Sequence, residues 1–278
     1  MRFEAFSLLL LLPAMVSAVA APAYPSLGQP FWQDTFSGAA GSSPNSDNWN
    51  YALGINTNNE AETYTTSNNN VQISGGNTVQ FIPRKSASGV WTSARIESKK
   101  TFTPAAGKIM QIEASIRMGG NSAAEMQGIW PAVWMLGDSI HHGTEWPACG
   151  ELDIFEQVNG LLTAYGTAHC TTCNEPTGRG GQVATDNSEW HTYAIKVDRT
   201  SNNWATESVT WLRDGVEYFT LTGATVADEG TWGTLAHSPL FLILNLAVGG
   251  DFPGAPNSAT ADGYGSMMEV EYVAAYST

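Results

Sequence analysis

"SVTWLRDGVEYFTL", residues 208–221, places Asp214-Gly215 between two short runs rich in β-branched and aromatic residues. Asp-Gly suits the two left-handed positions of a type I′ turn, whose twist matches that of two paired strands, so the stretch predicts a β-hairpin. The same grammar recurs on both sides. "HTYAIKV" (191–197) sets Tyr193, Ile195 and Val197 on one face, and "MEVEYVAAY" (268–276) sets Val270, Tyr272, Ala274 and Tyr276 on one face. "SARIES", "IMQIEASIRM" and "LFLILNLAV" add further short runs of strand character. Gly, Ser, Asn and Thr tracts at 41–48, 119–128 and 173–189 read as long surface loops. No stretch keeps a 3.6-residue period long enough to predict a helix. No internal repeat marks propeller blades. The expected fold is therefore all-β, a two-sheet antiparallel sandwich of jelly-roll type.

Composition narrows the partners. The 278 residues carry a formal charge of −14 with only 12 basic side chains, so a basic footprint for nucleic acid or anionic lipid is missing. Neither nucleic acid nor membrane is an expected partner, and a monomer acting on an uncharged or cationic partner fits the surface. The opening "MRFEAFSLLLLLPAMVSAVAAPA" has one Arg, an apolar core broken by Pro13, and small residues at 16–20. That pattern predicts a secretory signal over residues 1–20, cleaved near 18–20, and an extracellular single domain over 21–278. Of three cysteines, 149, 170 and 173, secretion favours one disulfide and one thiol left over.

The chemistry concentrates in "CGELDIFEQVNG" (149–160). Side chains alternate along a flat strand, so Glu151 and Asp153 share a face and Glu156 would point the other way. One extra residue near Ile154–Phe155, a β-bulge, restores parity and brings the three acids to one surface. Two such carboxyl groups about 5–5.5 Å apart are the arrangement for retaining glycoside hydrolysis. At an effective dielectric of about 20 they repel by roughly 3 kcal/mol, about two pKa units, which keeps one protonated. A solvent-facing acidic strand edge explains acids at 151 and 153 but not one inside "IFEQV".

These residues resemble the E-x-D-x-x-E signature of glycoside hydrolase family 16, in its laminarinase-like, bulge-containing branch. The likeness extends over "NNEAETYT" (58–65), "TSARIESK" (92–99), "GIWPAVWMLG" (128–137), "EWPACGELDIFE" (145–156), "AYGTAHC" (164–170) and "LNLAVGGDFPG" (244–254). The resemblance implies a concanavalin A-like jelly roll with a concave cleft, and endo-cleavage of β-1,3-glucan with retention, mixed β-1,3/1,4 chains included. It implies Glu151 as nucleophile, Asp153 as assisting acid and Glu156 as general acid/base. Trp146 and Trp134 match cleft aromatics, with Trp130 as a further sugar platform. His169 matches a cleft histidine, and Glu60 and Arg95 fall in blocks lining the glycone side. Glu60 also reads as a surface acid, and Arg95 as the ion partner of a strand neighbour. Most of the 10 Trp are expected to pack the core. Val133, Gln157 and the long "HCTTCNEPTGRGG" segment depart from the usual pattern. Some family members hold a structural calcium, whose ligands have no match here, so no metal or cofactor is expected. Cell-wall transglycosylation and non-catalytic glucan binding are the alternatives on the same fold.

A register follows from the turn. Asn159-Gly160 predicts a tight hairpin, and with the bulge Asp153 faces Tyr165, Glu151 faces Thr167 and Cys149 faces His169. His169 then joins the acids' face while Cys170 points away, which argues against a Cys149–Cys170 bridge and favours Cys170–Cys173.

Overall fold

The computed structural model describes residues 19–278; the predicted signal segment lies outside the described residues, apart from its last two positions. Two antiparallel sheets stack face to face. One has seven strands in the order Arg179–Ala184, Thr163–His169, Glu151–Glu156, Ile129–Gly137, Leu240–Val248, Arg95–Phe102 and Trp49–Tyr51. The other runs Val216–Thr222, Ser208–Arg213, His191–Asp198, Ile109–Met118, Met268–Ser277, Val79–Phe81 and Val71–Ile73, with Trp32–Asp34 paired to Met268–Ser277. A small third sheet, Glu62–Tyr64, Trp91–Ser93 and Arg84–Lys85, contains a parallel pair.

Leu240–Val248 shows why so apolar a run is a strand and not an amphipathic helix: all nine residues are buried. Leu242, Leu244 and Leu246 enter the inter-sheet core, while Phe241 and Ile243 pack on the opposite face against Leu136 and Cys149. A strand covered on both faces needs no polar alternation. The Asp214-Gly215 turn forms as expected, with positive φ at both residues (51° and 74°) and Arg213 facing Val216.

Three expectations are corrected. Met268–Ser277 carries a bulge between Val270 and Tyr272. Val270 therefore shares the inter-sheet core with Val273 and Ala275, whereas Tyr272, Ala274 and Tyr276 face outward under the N-terminal segment. Residues 179–184, read as loop, form the edge strand of the seven-stranded sheet, because Gly166, Gly180 and Gly181 let the two backbones and Phe219 approach closely. The helix Glu229–Ala236 was missed for its shortness. Asp228 caps it by accepting the Thr231 N–H at 2.7 Å, and Trp232, Leu235 and Ala236 bury one face. Of the tryptophans, Trp49, Trp91, Trp211 and Trp232 are buried, and Trp32 and Trp204 pack against the core.

The bulge in Glu151–Glu156 is present. Asp153 faces Thr167 and Glu156 faces Tyr165, so three steps on one strand match two on its partner. The core locks it. Leu152, Ile154 and Phe155 are buried, and Trp211, on the facing sheet, donates its indole N–H to the Asp153 carbonyl at 2.6 Å. That carbonyl sits where the ladder is interrupted, and a buried unpaired carbonyl is costly. Gly166, opposite the bulge, leaves room for the indole: a Cβ there would lie 2.2 Å from Trp211 Cδ1.

The exact pairing differs from the expected one by two residues. The tight turn does close, with Leu161 N–H donating to the Val158 carbonyl at 3.0 Å and positive φ at Asn159 and Gly160. Leu161 and Leu162 then loop out, marked by Thr163 N–H donating to the Leu161 carbonyl at 2.8 Å. Glu151 consequently faces His169 and Asp153 faces Thr167. A shift by an even number preserves faces, so His169 still lies with the acids and Cys170 points inward. The disulfide joins Cys170 and Cys173, and Cys149 is a buried thiol.

Gly166→Ala should cost about 1–3 kcal/mol through overpacking against Trp211, read as a lower Tm by calorimetry. An unchanged Tm would show that the indole does not need this space.

Candidate active site

The bulged strand and its two neighbours present one outward row each. Glu151, Asp153 and Glu156 stand opposite Leu136, Trp134 and Ala132 on one side, and opposite His169, Thr167 and Tyr165 on the other. The three acids, His169, Trp130 and Trp134 are thus brought together on the outer face of the seven-stranded sheet.

Each acid has a different partner. Trp130 donates its indole N–H to Glu156 Oε1 at 2.8 Å. His169 Nε2 lies 3.4 Å from Asp153 Oδ2 and 3.9 Å from Glu151 Oε1, ion-pair distances and not tight hydrogen bonds. The other imidazole nitrogen, Nδ1, is 2.6 Å from Glu175 Oε2. Trp146 is exposed, with its ring 5.6 Å from that of His169. It forms a rim beside the acids, an apolar surface on which the C–H face of a sugar can stack.

Burial and charge then set the protonation. Burial raises the pKa of all three acids. Glu156 reaches about 8, chiefly by burial and then by the charge of Asp153, opposed by the Trp130 hydrogen bond and by His169. Burial and the Asp153 charge hold Glu151 well above the carboxylate range, while His169 and Arg95 pull it down. Like-charge repulsion between Glu151 and Glu156, expected to dominate, is secondary. Asp153 is the charged neighbour that matters to both. Burial alone would lower His169, but Asp153, Glu151 and Glu175 raise it to about 10. The imidazole is therefore cationic at neutral pH.

Glu151, Asp153 and His169 offer three ligand atoms within 4.8 Å of one another, a spacing that suits a metal. A cationic imidazole has no lone pair to give, and Glu175 already takes Nδ1. The cluster is better matched to holding protons.

The remaining sequence candidates divide. Arg95 is buried, ion-paired to Glu97 at 2.7 Å and stacked over the Trp134 ring at 4.8 Å. Trp134 donates its N–H to Asn245 Oδ1 at 2.7 Å, and Asn245 Nδ2 donates to the Tyr64 hydroxyl at 3.1 Å. Arg95 thus supports Trp134 from within the sheet. Glu60 bridges to Gly249 near Trp130, but its carboxylate accepts from the N–H and side chain of Asn58 and so braces its own loop.

Sequence reasoning missed Asn245, Glu175 and Phe252. Asn245 is the one polar residue in "LFLILNLAV", and a lone amide in a buried strand is itself a signal. Phe252 is exposed, with Trp130 5.7 Å away and Tyr165 5.5 Å away in edge contacts. Glu175 lies in a turn-rich segment with no periodicity to reveal its direction.

A carboxyl with a raised native pKa keeps a proton that the unfolded chain has already lost. Its contribution to stability is full below the unfolded value and vanishes as pH rises through the folded one. Glu156 therefore makes the native state progressively less stable between about pH 4.5 and 8. Glu156→Gln, which keeps the acceptor for Trp130, should raise Tm at pH 8 more than at pH 4.5. An equal Tm change at both would show that Glu156 titrates normally.

Comparison with known proteins agrees with this geometry. The family model described as "XgeA-like, catalytic GH16 domain" matches residues 40–214. The crystal structure of an endo-1,3-β-glucanase from Streptomyces sioyaensis is similar with a TM-score of 0.87 and 38% identity, over 93% of this chain and 99% of that one. A glucan endo-1,3-β-glucosidase from Cryptopygus antarcticus is 30% identical, over 87% of this chain and 89% of its own. A β-glucanase from Rhodothermus marinus is 29% identical, over 88% of this chain and 84% of its own. With a bulged acidic strand on one face of a two-sheet sandwich and a matching family model over most of its length, the chain belongs to glycoside hydrolase family 16.

Proposed function

We propose that the protein is a secreted, retaining endo-β-1,3-glucanase that also accepts mixed-linked β-1,3/1,4-glucan. The observation that carries this is the unequal environment of acids sharing one face. Glu156 holds a proton up to about pH 8 and is aimed by Trp130; Glu151 stands beside the cationic His169. The names of the relatives point the same way, as does the acidic, cation-poor surface.

In the proposed mechanism Glu156 gives its proton to the glycosidic oxygen as the bond breaks. Glu151 attacks the anomeric carbon, and water, deprotonated by Glu156, later releases the sugar. Glu151 must be anionic to attack, although burial works against that. His169 and Arg95 oppose that burial and stabilise the charge on Glu151, while the Asp153 charge helps to keep the proton on Glu156. Unequal neighbours thus let two crowded carboxyls differ in charge. Trp146 supplies the stacking surface at the rim. β-Glucan is the proposed partner, and the extracellular space the proposed location.

Reducing-end release should appear on laminarin and lichenan and be absent on a β-1,4-glucan, with retained configuration in the first product by NMR. Release from the β-1,4-glucan alone would overturn the assignment. Activity should fall above about pH 8 as Glu156 loses its proton.

Glu151→Gln should abolish hydrolysis while glucan still binds. Azide should restore turnover of an activated aryl glycoside by Glu156→Ala, with an azide adduct as product; no adduct would remove Glu156 as the acid/base.

A further inference from the structure

We propose that Glu175, held by the Cys170–Cys173 loop, is a positioning residue that keeps His169 oriented and cationic beside Asp153 and Glu151. This rests on the glycosidase reading of the acids and deepens it.

The geometry is that of a clamp. Glu175 uses both oxygens on two adjacent residues: Oε2 meets His169 Nδ1 at 2.6 Å, and Oε1 accepts the Cys170 N–H at 3.0 Å. The carboxylate therefore cannot follow the ring if it rotates. A short charged contact on Nδ1 turns Nε2 toward Asp153 at 3.4 Å and Glu151 at 3.9 Å. His169, Glu151, Asp153 and Glu175 are each less than a fifth exposed, with side-chain exposures of 13%, 13%, 5% and 17%. Water screens such a chain of charges poorly.

The loop is built to hold that one side chain. The disulfide closes residues 170–173 directly before it, and Cys173 N–H donates to the Cys170 carbonyl at 2.9 Å. The Thr172 hydroxyl donates to the Val226 carbonyl at 3.0 Å, and Arg179 donates to the carbonyls of Thr172 and Thr225. Both half-cystines are fully buried. The segment that departs from the family pattern is thus anchored to the helix Gly223–Val226, and it delivers a carboxylate to the back of a histidine whose front faces the acids.

The charged groups around His169 are Glu151 and Asp153 from the neighbouring strand and Glu175 from the loop. Trp146 covers it without charge, and Arg95 acts on Glu151 along the same face, from beside Trp134. Losing Glu175 removes one of three anions holding the imidazolium. His169 then releases its proton at lower pH, and Glu151 loses the cation that opposes its burial.

Glu175→Gln is nearly isosteric and can still accept the Cys170 N–H, so it removes the charge without opening the loop. By NMR, His169 should titrate at lower pH than in the wild type. On laminarin, kcat should fall roughly 100-fold, the scale of a misplaced group this close to the chemistry, with KM unchanged. The double variant Cys170→Ser/Cys173→Ser keeps Glu175 but frees its loop, and should shift both readouts the same way. An unchanged His169 titration with unchanged kcat in either folded variant would overturn the proposal, as would a change confined to KM. The titration involves no substrate. It therefore judges the clamp even if the wild type leaves laminarin intact, an outcome that would count against the glucanase reading alone.

Discussion

The hydrogen bond from Trp211 to the Asp153 carbonyl is the constraint on which the site depends. A strand carrying acids at 151, 153 and 156 cannot show all three on one face while it alternates regularly. The extra residue that solves this breaks the ladder and strands a carbonyl in the apolar space between the sheets. The facing sheet supplies the missing donor, and the missing side chain at Gly166 supplies the space. Core packing and active-site geometry are thus one arrangement seen from two sides. Leu152, Ile154 and Phe155 anchor the strand below, and each acid above inherits its direction from them.

Above the sheet, low solvent exposure does the chemical tuning. Three carboxyls held this close and this dry resist ionising together, and each is given a different opponent. Glu156 has an indole N–H, Asp153 has the imidazolium, and Glu151 is stabilised at longer range by His169 and Arg95. Such an arrangement is unfavourable for the native state, because every acid with a raised pKa opposes folding as the pH rises. The wholly buried strand Leu240–Val248 and the inter-sheet core beside it offset that with apolar burial. Stability and function here use opposite faces of the same strands.

Much of this was legible in the residues. Period-two alternation and the Asp-Gly turn are local signals, set by backbone sterics and by which side chains tolerate a pleated surface. The bulge was legible because parity is also local: three acids at intervals of two and three share one face only with an added residue. The faces of His169 and Cys170 followed from the same parity, and so did the disulfide partner. The inference that crossed a turn failed. Leu161 and Leu162 are apolar and carry no loop signature, yet they leave the ladder and move the pairing by two.

Tertiary structure decided what depends on atoms far away in the chain. The bulge at Glu271 sends Val270 and Tyr272 to opposite sides, because each strand face is matched to what covers it: the inter-sheet core or the N-terminal segment. Arg95 reaches Trp134, Asn245 meets Tyr64, and Glu175 finds His169 only after loops and strands are in place. The order of the acids' pKa values was likewise beyond the sequence, since burial outweighs the pairwise repulsion that spacing alone suggests. By itself the sequence determined the longer strands, the acidic face and the residue types that do chemistry there, because backbone periodicity is a property of neighbours. Which of those groups is charged, and which side chains hold them, only the assembled sandwich decided, because desolvation and long-range hydrogen bonds exist only once distant segments pack.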